Sequence, residues 1–239
     1  SLRSLGTFAG STHAMMIAAA LILPFALLQT TAAPAPGADR YSQCVALIDE
    51  DPARAYEEGM AWAAEGQAVN AYRCAALALI AQNRPDDGAR RLESLASAVN
   101  PAQASLRAEL LSQAGNAWML AREPGQARSA FTRAIVTMTP GAEQLPDLLI
   151  DRARAYAMES DFRLAEEDLS TALDQRPNDP LALRLRASSR MHQRAFPLAE
   201  ADALQALSAS TTEQDRIDAA LVLGHVRESI RTGAPVEEQ

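Results

Sequence analysis

The sequence contains no lysine. All 22 of its basic residues are arginine, and they are outnumbered by 30 acidic residues, which gives a formal charge of −8. Because no basic run is present to neutralise a row of phosphates, we do not expect nucleic-acid binding. The acidic balance does not identify a substrate either, since acidic surfaces commonly keep proteins in solution.

Aromatic residues make up only 5% of a chain that is 48% hydrophobic. The apolar residues are mostly alanine and leucine, which favour helices, and the β-branched and aromatic residues typical of strands are sparse. We therefore predict an all-α protein without strands. The predicted helices cover residues 41–49, 52–65, 68–82, 86–98, 102–122, 125–137, 147–159, 161–175, 181–193, 196–208 and 212–231.

Recognisable catalytic motifs are absent. The chain has no H-E-x-x-H, P-loop, G-x-G-x-x-G or G-x-S-x-G pattern. His192 and His225 fall on predicted helices without a cysteine or serine partner, and acid pairs such as Asp86–Asp87 stand near helix starts, where the helix dipole favours them. We therefore predict a non-enzymatic protein with no cofactor and no metal site.

The N-terminal segment has the order of a secretory signal. An uncharged apolar run at residues 14–28, AMMIAAALILPFALL, follows a short stretch with Arg3 and precedes the small-residue stretch TTAAPAPGA. The run is shorter than the ~20 residues of a membrane-spanning helix. We predict a signal peptide at 1–33 and a linker at 34–40. An uncleaved membrane anchor is the alternative for 1–33, and would be the chain's one membrane contact.

The chain has two cysteines, Cys44 and Cys74. If the protein is exported, an even number of cysteines in an oxidising compartment favours a disulfide. The closed loop of about 30 residues would then stabilise the fold by roughly 3–4 kcal/mol. A pair of buried free thiols is the alternative.

A spacing of small, large and small residues repeats along the chain. Its clearest copy is Ala127, Phe131 and Ala134. The other copies are Ala165, Leu169, Ala172; Ala199, Ala203, Ala206; Gly88, Leu92, Leu95; and Ala55, Gly59, Trp62. Another amphipathic helix precedes each copy, so the repeating unit is a helix pair. A single pair cannot bury its apolar face alone, and the pairs must stack.

The residues of the best copy are Leu111, Ala114, Gly115, Trp118, Ala127, Phe131 and Ala134, and the next is Leu149, Ala153, Tyr156, Ala165, Leu169, Ala172 and Pro177. In these residues the chain resembles a tetratricopeptide-repeat (TPR) protein. A thinner copy has Arg190 where an aromatic residue is usual. The resemblance implies a right-handed superhelix of about four to five helix pairs over residues 41–232, with a C-terminal capping helix and a polar tail at 233–239.

The resemblance also implies a concave groove, lined by the first helix of each pair, that binds an extended peptide or a partner helix. The groove positions map to Arg73, Leu77, Ser112, Asn116, Met119, Ile150, Arg154, Met158, Arg184, Ser188 and Met191. Among these, the donors Arg73, Asn116, Arg154 and Arg184 suggest recognition of an acidic or C-terminal carboxylate segment. The alternatives are that the arginines pair with acids such as Asp147 and Glu109, and that the methionines serve packing.

Two functions are consistent with this pattern. The first is a non-enzymatic scaffold of the bacterial periplasm or cell envelope that binds a protein partner in the groove. "Bacterial" rests on the repeat-plus-signal arrangement and on the lysine-free, alanine- and arginine-rich composition. The second is a structural subunit of a larger envelope or membrane complex, held by its outer faces or by an uncleaved N-terminal helix.

Overall fold

The computed structural model describes residues 38–66 and 68–236, and all regular secondary structure in these ranges is helical. The helices are α1 (Ala38–Glu50), α2 (Pro52–Ala64), α3 (Ala68–Ala81), α4 (Pro85–Ala98), α5 (Ala104–Leu120), α6 (Pro124–Ile135), α7 (Leu145–Met158), α8 (Phe162–Gln175), α9 (Pro180–His192), α10 (Phe196–Ala209) and α11 (Glu213–Thr232). Every predicted helix is present. The predicted signal segment lies outside the described residues, and α1 begins inside the stretch predicted as a linker.

The helices pack in chain order. Each contacts mainly the helix before and the helix after it, and some helices also meet the next but one, as α1 does with α3 and α9 with α11. Such neighbour-only packing is what defines a solenoid. The predicted TPR-like architecture is confirmed as five helix pairs, α1–α2 to α9–α10, followed by the capping helix α11.

The turn inside a pair has the same construction in four of the five pairs. The second residue after each first helix has a left-handed backbone conformation, with φ between 58° and 62°. These residues are Asn83, Arg122, Ser160 and Arg194. In each turn, the next amide donates back into the preceding helix, as Glu123 N does to Trp118 O at 2.9 Å, the pattern of a Schellman cap. The second helix then starts at once.

Gly115 allows a close approach within the α5–α6 pair. A Cβ atom at this position would lie 2.5–2.7 Å from three carbons of the Phe131 ring. Phe131 itself is fully buried. The helix-propensity cost of a glycine in α5 is therefore offset by the ring that packs against it.

At the position where an aromatic residue is usual, Arg190 contacts the preceding pair through a hydrogen bond instead of through a ring. One repeat earlier, Arg128 of α6 lies over the Tyr156 ring of α7, with its guanidinium carbon 5.7 Å from the ring centre. At the positions corresponding to these two, Glu166 accepts a hydrogen bond from Arg190 Nε at 2.7 Å. The departure from the TPR pattern therefore keeps a link between neighbouring pairs while exchanging the partners.

A disulfide joins the first pair to the second. Cys44 of α1 is bonded to Cys74 of α3, with their Cα atoms 6.2 Å apart, so the predicted pairing is present in the structure. Of residues 39–50 of α1, only Cys44 is buried. The covalent link thus adds to the packing of Tyr41 against Trp62 and to the Arg40–Glu65 ion pair, which also hold the first helix.

Candidate functional site

The predicted groove residues lie on α3, α5, α7 and α9, the first helices of four successive pairs. We call the surface that carries them the first-helix face. The residues predicted to bind a ligand on it are Arg73, Asn116, Met119, Arg154, Met158, Arg184 and Ser188.

Three of these residues, Arg154, Met158 and Ser188, line one cavity of about 270 Å³ between α7 and α9. We call it the α7–α9 cavity. Its other walls are Ala153, Ala157, Phe162, Leu169, Leu185, Ser189 and His192. The Phe162 and His192 rings are stacked, with centroids 4.3 Å apart and planes 8° from parallel. Apolar groups thus form most of the lining, with Arg154 and His192 as its ionisable groups.

His192 was missed as a groove residue because of a one-residue register error. Met191, which was predicted to line the groove, is fully buried and packs with Ala199 and Val226. Counting the repeat length of 34 from Met158 leads to His192 instead. One residue turns a helix by about 100°, which separates a core position from a surface position. The repeat period therefore contained the signal for His192.

A second cavity, of about 430 Å³, lies on the other side of α7. We call it the α5–α7 cavity. It is lined by Ser105, Ala108, Glu109, Ser112, Met138, Gln144, Asp147 and Leu148. Ser112 was a predicted groove position, whereas Glu109 and Asp147 were expected only as ion-pair partners.

Two of the predicted arginines are engaged inside the protein. Arg73 is buried, forms an ion pair with Glu109 and donates from Nε to Gln113 at 2.9 Å. Arg184 forms an ion pair at 2.9 Å with Asp218 of the capping helix. The alternative expectation, pairing with neighbouring acids, thus holds for both of them, and also for Arg154, which pairs with Asp151 at 3.3 Å. Neither Arg73 nor Arg184 lines the two cavities.

Asp151 connects the two remaining predicted donors. It accepts hydrogen bonds from Asn116 Nδ2 of α5 at 3.4 Å and from Arg154 Nη1 at 3.3 Å. Burial raises the pKa of the Asp151 carboxyl, which these two donors oppose. Asn116 and Arg154 are therefore brought together through a carboxylate that the groove prediction did not include.

The other predicted positions serve packing to different degrees. Ile150 is buried, Leu77 is half-buried, and Met119 packs against the core that contains Phe131. Met158, by contrast, is 46% exposed. The methionines thus divide between the two interpretations.

Within residues 38–66 and 68–236, no group of three or more metal-ligating side chains is arranged to hold an ion. Across the same part of the chain, no helix is both long enough and apolar enough to span a membrane.

Comparison with known proteins shows the fold class. No family model matches the chain, and no curated protein does. Among solved structures, the chain is similar to YrrB, described as a TPR protein with an unusual peptide-binding site, at 14% identity over 77% of this chain and 86% of YrrB, with a TM-score of 0.54. It is also similar to MamA, at 14% identity over 84% of this chain and 98% of MamA, with a TM-score of 0.52. The protein therefore has a TPR-like solenoid fold.

Proposed function

We propose that this protein is a non-enzymatic scaffold that binds an extended segment or helix of a partner protein along its first-helix face. The observation that carries the proposal is the α7–α9 cavity, where Arg154, Met158 and Ser188 meet. These three residues come from two different repeats, so only the folded solenoid assembles them. The description of YrrB as a peptide-binding TPR protein supports the same class of partner.

The size and lining of the α7–α9 cavity fit a side chain of a partner protein better than a small molecule. Its volume, about 270 Å³, is below the range of roughly 300–1,000 Å³ typical of drug-sized ligand pockets. Met158 is exposed and flexible, a side chain that adapts to apolar partners. An apolar anchor in the cavity, flanked by polar groups near Arg154 and His192, is the mode of binding that we infer.

We place the scaffold in the bacterial periplasm or cell envelope. The signal-like order of residues 1–33 supports export. The Cys44–Cys74 disulfide supports an oxidising compartment, because such bonds are rare where glutathione keeps thiols reduced.

Affinity purification from the native cell envelope tests the proposal. We expect Arg154→Glu and Met158→Glu to lose the captured partner while the helical circular dichroism stays unchanged. Arg163→Glu is the matched control, because it makes the same charge change on α8, where the side chain is 66% exposed. Recovery of the same partner by all three variants would refute the groove. Arg184→Glu is a poorer choice, since it also disturbs the capping helix.

A cavity elsewhere favours a second candidate, a structural subunit held through another surface. This cavity has a volume of about 500 Å³ and is lined by Val69, Tyr72, Arg90, Arg91, Ser94, Leu95, Ala98 and Val99. Most of these residues belong to α4, the second helix of its pair. Under this candidate, Tyr72→Glu would lose the partner and Arg154→Glu would keep it.

A further inference from the structure

The α5–α7 cavity presents carboxylates to solvent. The Glu109 side chain is 55% exposed, while its partner Arg73 is only 10% exposed. The Asp147 side chain is 61% exposed, while that of its partner Arg176, directly after α8, is 35% exposed and also donates to the carbonyl of Glu143. A ligand entering this cavity therefore meets the negative member of each pair.

The α7–α9 cavity has the opposite polarity. The Arg154 side chain is 48% exposed, while its partner Asp151 is 21% exposed and is shared with Asn116. The hydrogen bond between Arg154 and Asp151, at 3.3 Å, lies beyond the usual N–H···O range of about 2.7–3.2 Å. A ligand at this cavity therefore meets a guanidinium group whose own partner is recessed.

The two charges are held at a fixed spacing by α7. Asp147 and Arg154 are separated by two helical turns, which is about 10 Å along the axis at ~1.5 Å per residue. An extended chain in the polyproline II conformation rises by about 3.1 Å per residue with three residues per turn, so side chains three residues apart cover about this distance and lie on the same side of the chain. The apolar lining of the α7–α9 cavity adjoins Arg154.

From these positions we infer the charge order of the ligand. The first-helix face binds an extended segment whose basic side chain enters the α5–α7 cavity and whose carboxylate, about three residues away, meets Arg154. An apolar side chain next to that carboxylate fills the α7–α9 cavity. The inference rests on the proposed function and changes the expected partner from an acidic segment to one that carries both charges.

The existing ion pairs do not oppose this binding strongly. Both carboxylate side chains, Glu109 and Asp147, are more than half exposed, and a carboxylate has about four acceptor sites, so each can keep its present partner while it binds a ligand. A basic ligand side chain placed between Glu109 and Asp147 gains two carboxylates from different helices, and an arginine can bind such groups through two hydrogen bonds. Complementary charges of this kind select partners and register more than they add affinity.

A set of labelled peptides tests the charge order. Each carries a four-residue centre between identical Gly/Ser flanks with blocked ends: Arg-Ala-Leu-Glu, Gln-Ala-Leu-Glu, Arg-Ala-Leu-Gln, Gln-Ala-Leu-Gln and Glu-Ala-Leu-Glu. Binding to the full chain is measured by fluorescence anisotropy at low salt. Since an exposed ion pair is worth roughly 0.2–1 kcal/mol, we expect each matched charge to tighten binding about two- to fivefold. The doubly acidic peptide should bind most weakly of the charged peptides.

Protein variants assign each charge to its cavity. Asp147→Asn should remove the advantage of the peptide's arginine over glutamine and leave that of its glutamate intact. Arg154→Gln should do the reverse. Asp174→Asn, a change at an exposed position on α8 outside both cavities, is the control and should alter neither.

The outcomes separate this inference from the proposed function. If peptides bind but the charged ones have no advantage, or the variants do not discriminate between them, the charge order is wrong and the groove stands. The same conclusion holds if no peptide binds while Arg154→Glu still abolishes capture of the native partner. If no peptide binds and that capture is unaffected, the proposed function fails and the inference fails with it.

Discussion

Arg152 of α7 and Asp168 of α8 are joined by two hydrogen bonds in the interior of their helix pair. Nε donates to Oδ2 at 2.8 Å and Nη2 donates to Oδ1 at 2.7 Å. The same arrangement recurs 34 residues later, where Arg186 of α9 binds Asp202 of α10 at 2.9 and 2.8 Å. Each of these two successive repeats thus contains its own largely buried charge pair.

The pair also reaches the preceding repeat. Arg152 Nη1 donates to the Thr132 hydroxyl of α6 at 3.2 Å, and Arg186 Nη1 donates to the Ser170 hydroxyl of α8 at the same distance. In the α5–α6 pair, the positions corresponding to the arginine and the aspartate are both buried alanines, Ala114 and Ala130. The α5–α6 pair therefore packs with neither charge at these two positions.

Breaking the charge pair should cost more than removing it. We expect Asp168→Ala to lower the free energy of unfolding by about 3–5 kcal/mol, because the charge of Arg152 stays in the interior without its partner. The double variant Arg152→Ala/Asp168→Ala should recover most of this loss, since the α5–α6 pair packs with two alanines. Urea denaturation of both variants measures the difference.

Asp174→Ala is the control for the charge-pair prediction. Asp174 is an exposed residue of the same helix, and its replacement should change the stability by less than about 0.5 kcal/mol. A double variant as unstable as Asp168→Ala would show that the two charges are not exchanged as a unit.

Two glycines inside helices should respond to alanine in opposite directions. Gly224 of α11 has open space where a Cβ would stand, so Gly224→Ala should raise the free energy of unfolding by about 0.5–1 kcal/mol through helix propensity. Gly115→Ala should lower it by about 1–3 kcal/mol, because the new methyl group overlaps the Phe131 ring. Thermal and urea unfolding both report the sign.

Replacing Phe131 by a smaller side chain should reduce the stability cost of Gly115→Ala. In the Gly115→Ala/Phe131→Leu double variant, the alanine should cost less than it does beside the full ring. An alanine penalty that is the same in both backgrounds would mean that the contact with Phe131 is not what requires the glycine.

Asp151 should make stability depend on pH in an unusual direction for a carboxylate. Burial raises its pKa above the ordinary value of 3.8, so the folded protein holds this proton at pH values where the unfolded chain has lost it. The contribution of Asp151 to stability is therefore complete below the ordinary pKa and is lost as the pH rises through the raised pKa. Asp151→Asn should exceed the wild type in stability at pH 7, and the difference should vanish near pH 3.

The Asp151 prediction is tested by the difference in free energy of unfolding between the wild type and Asp151→Asn, measured by urea denaturation at several pH values. Other carboxylates titrate in both proteins and largely cancel. Asp174→Asn, at an exposed site, should show no such trend. A stability advantage of Asp151→Asn that persists unchanged to pH 3 would mean that ionisation is not its cause.

The sequence predicted the helices and the packing of small against large residues between them, because both depend on residues that repeat. Gly115 and Phe131 occupy repeated slots, so their contact follows from the period. The side-chain partners on the first-helix face could not be predicted in this way. The sequence named Glu109 as a possible partner of the predicted arginines, but only the fold assigns it to Arg73. The stacking of Phe162 on His192 joins two different repeats, and a comparison of copies does not show which side chains meet across them.

Loss of the disulfide should affect the N-terminal end of the solenoid, and the first helix most of all. We expect Cys44→Ala/Cys74→Ala to lose about 3–4 kcal/mol, the chain-entropy value for a loop that closes over 30 residues. Because Cys44 is the one buried side chain among residues 39–50, amides of α1 should exchange with solvent much faster in the variant. Amides of α7 to α9 should keep their protection, since solenoid repeats are stabilised by their immediate neighbours. Hydrogen exchange resolved by mass spectrometry distinguishes these regions, and faster exchange spread evenly over all the described helices would contradict the local role.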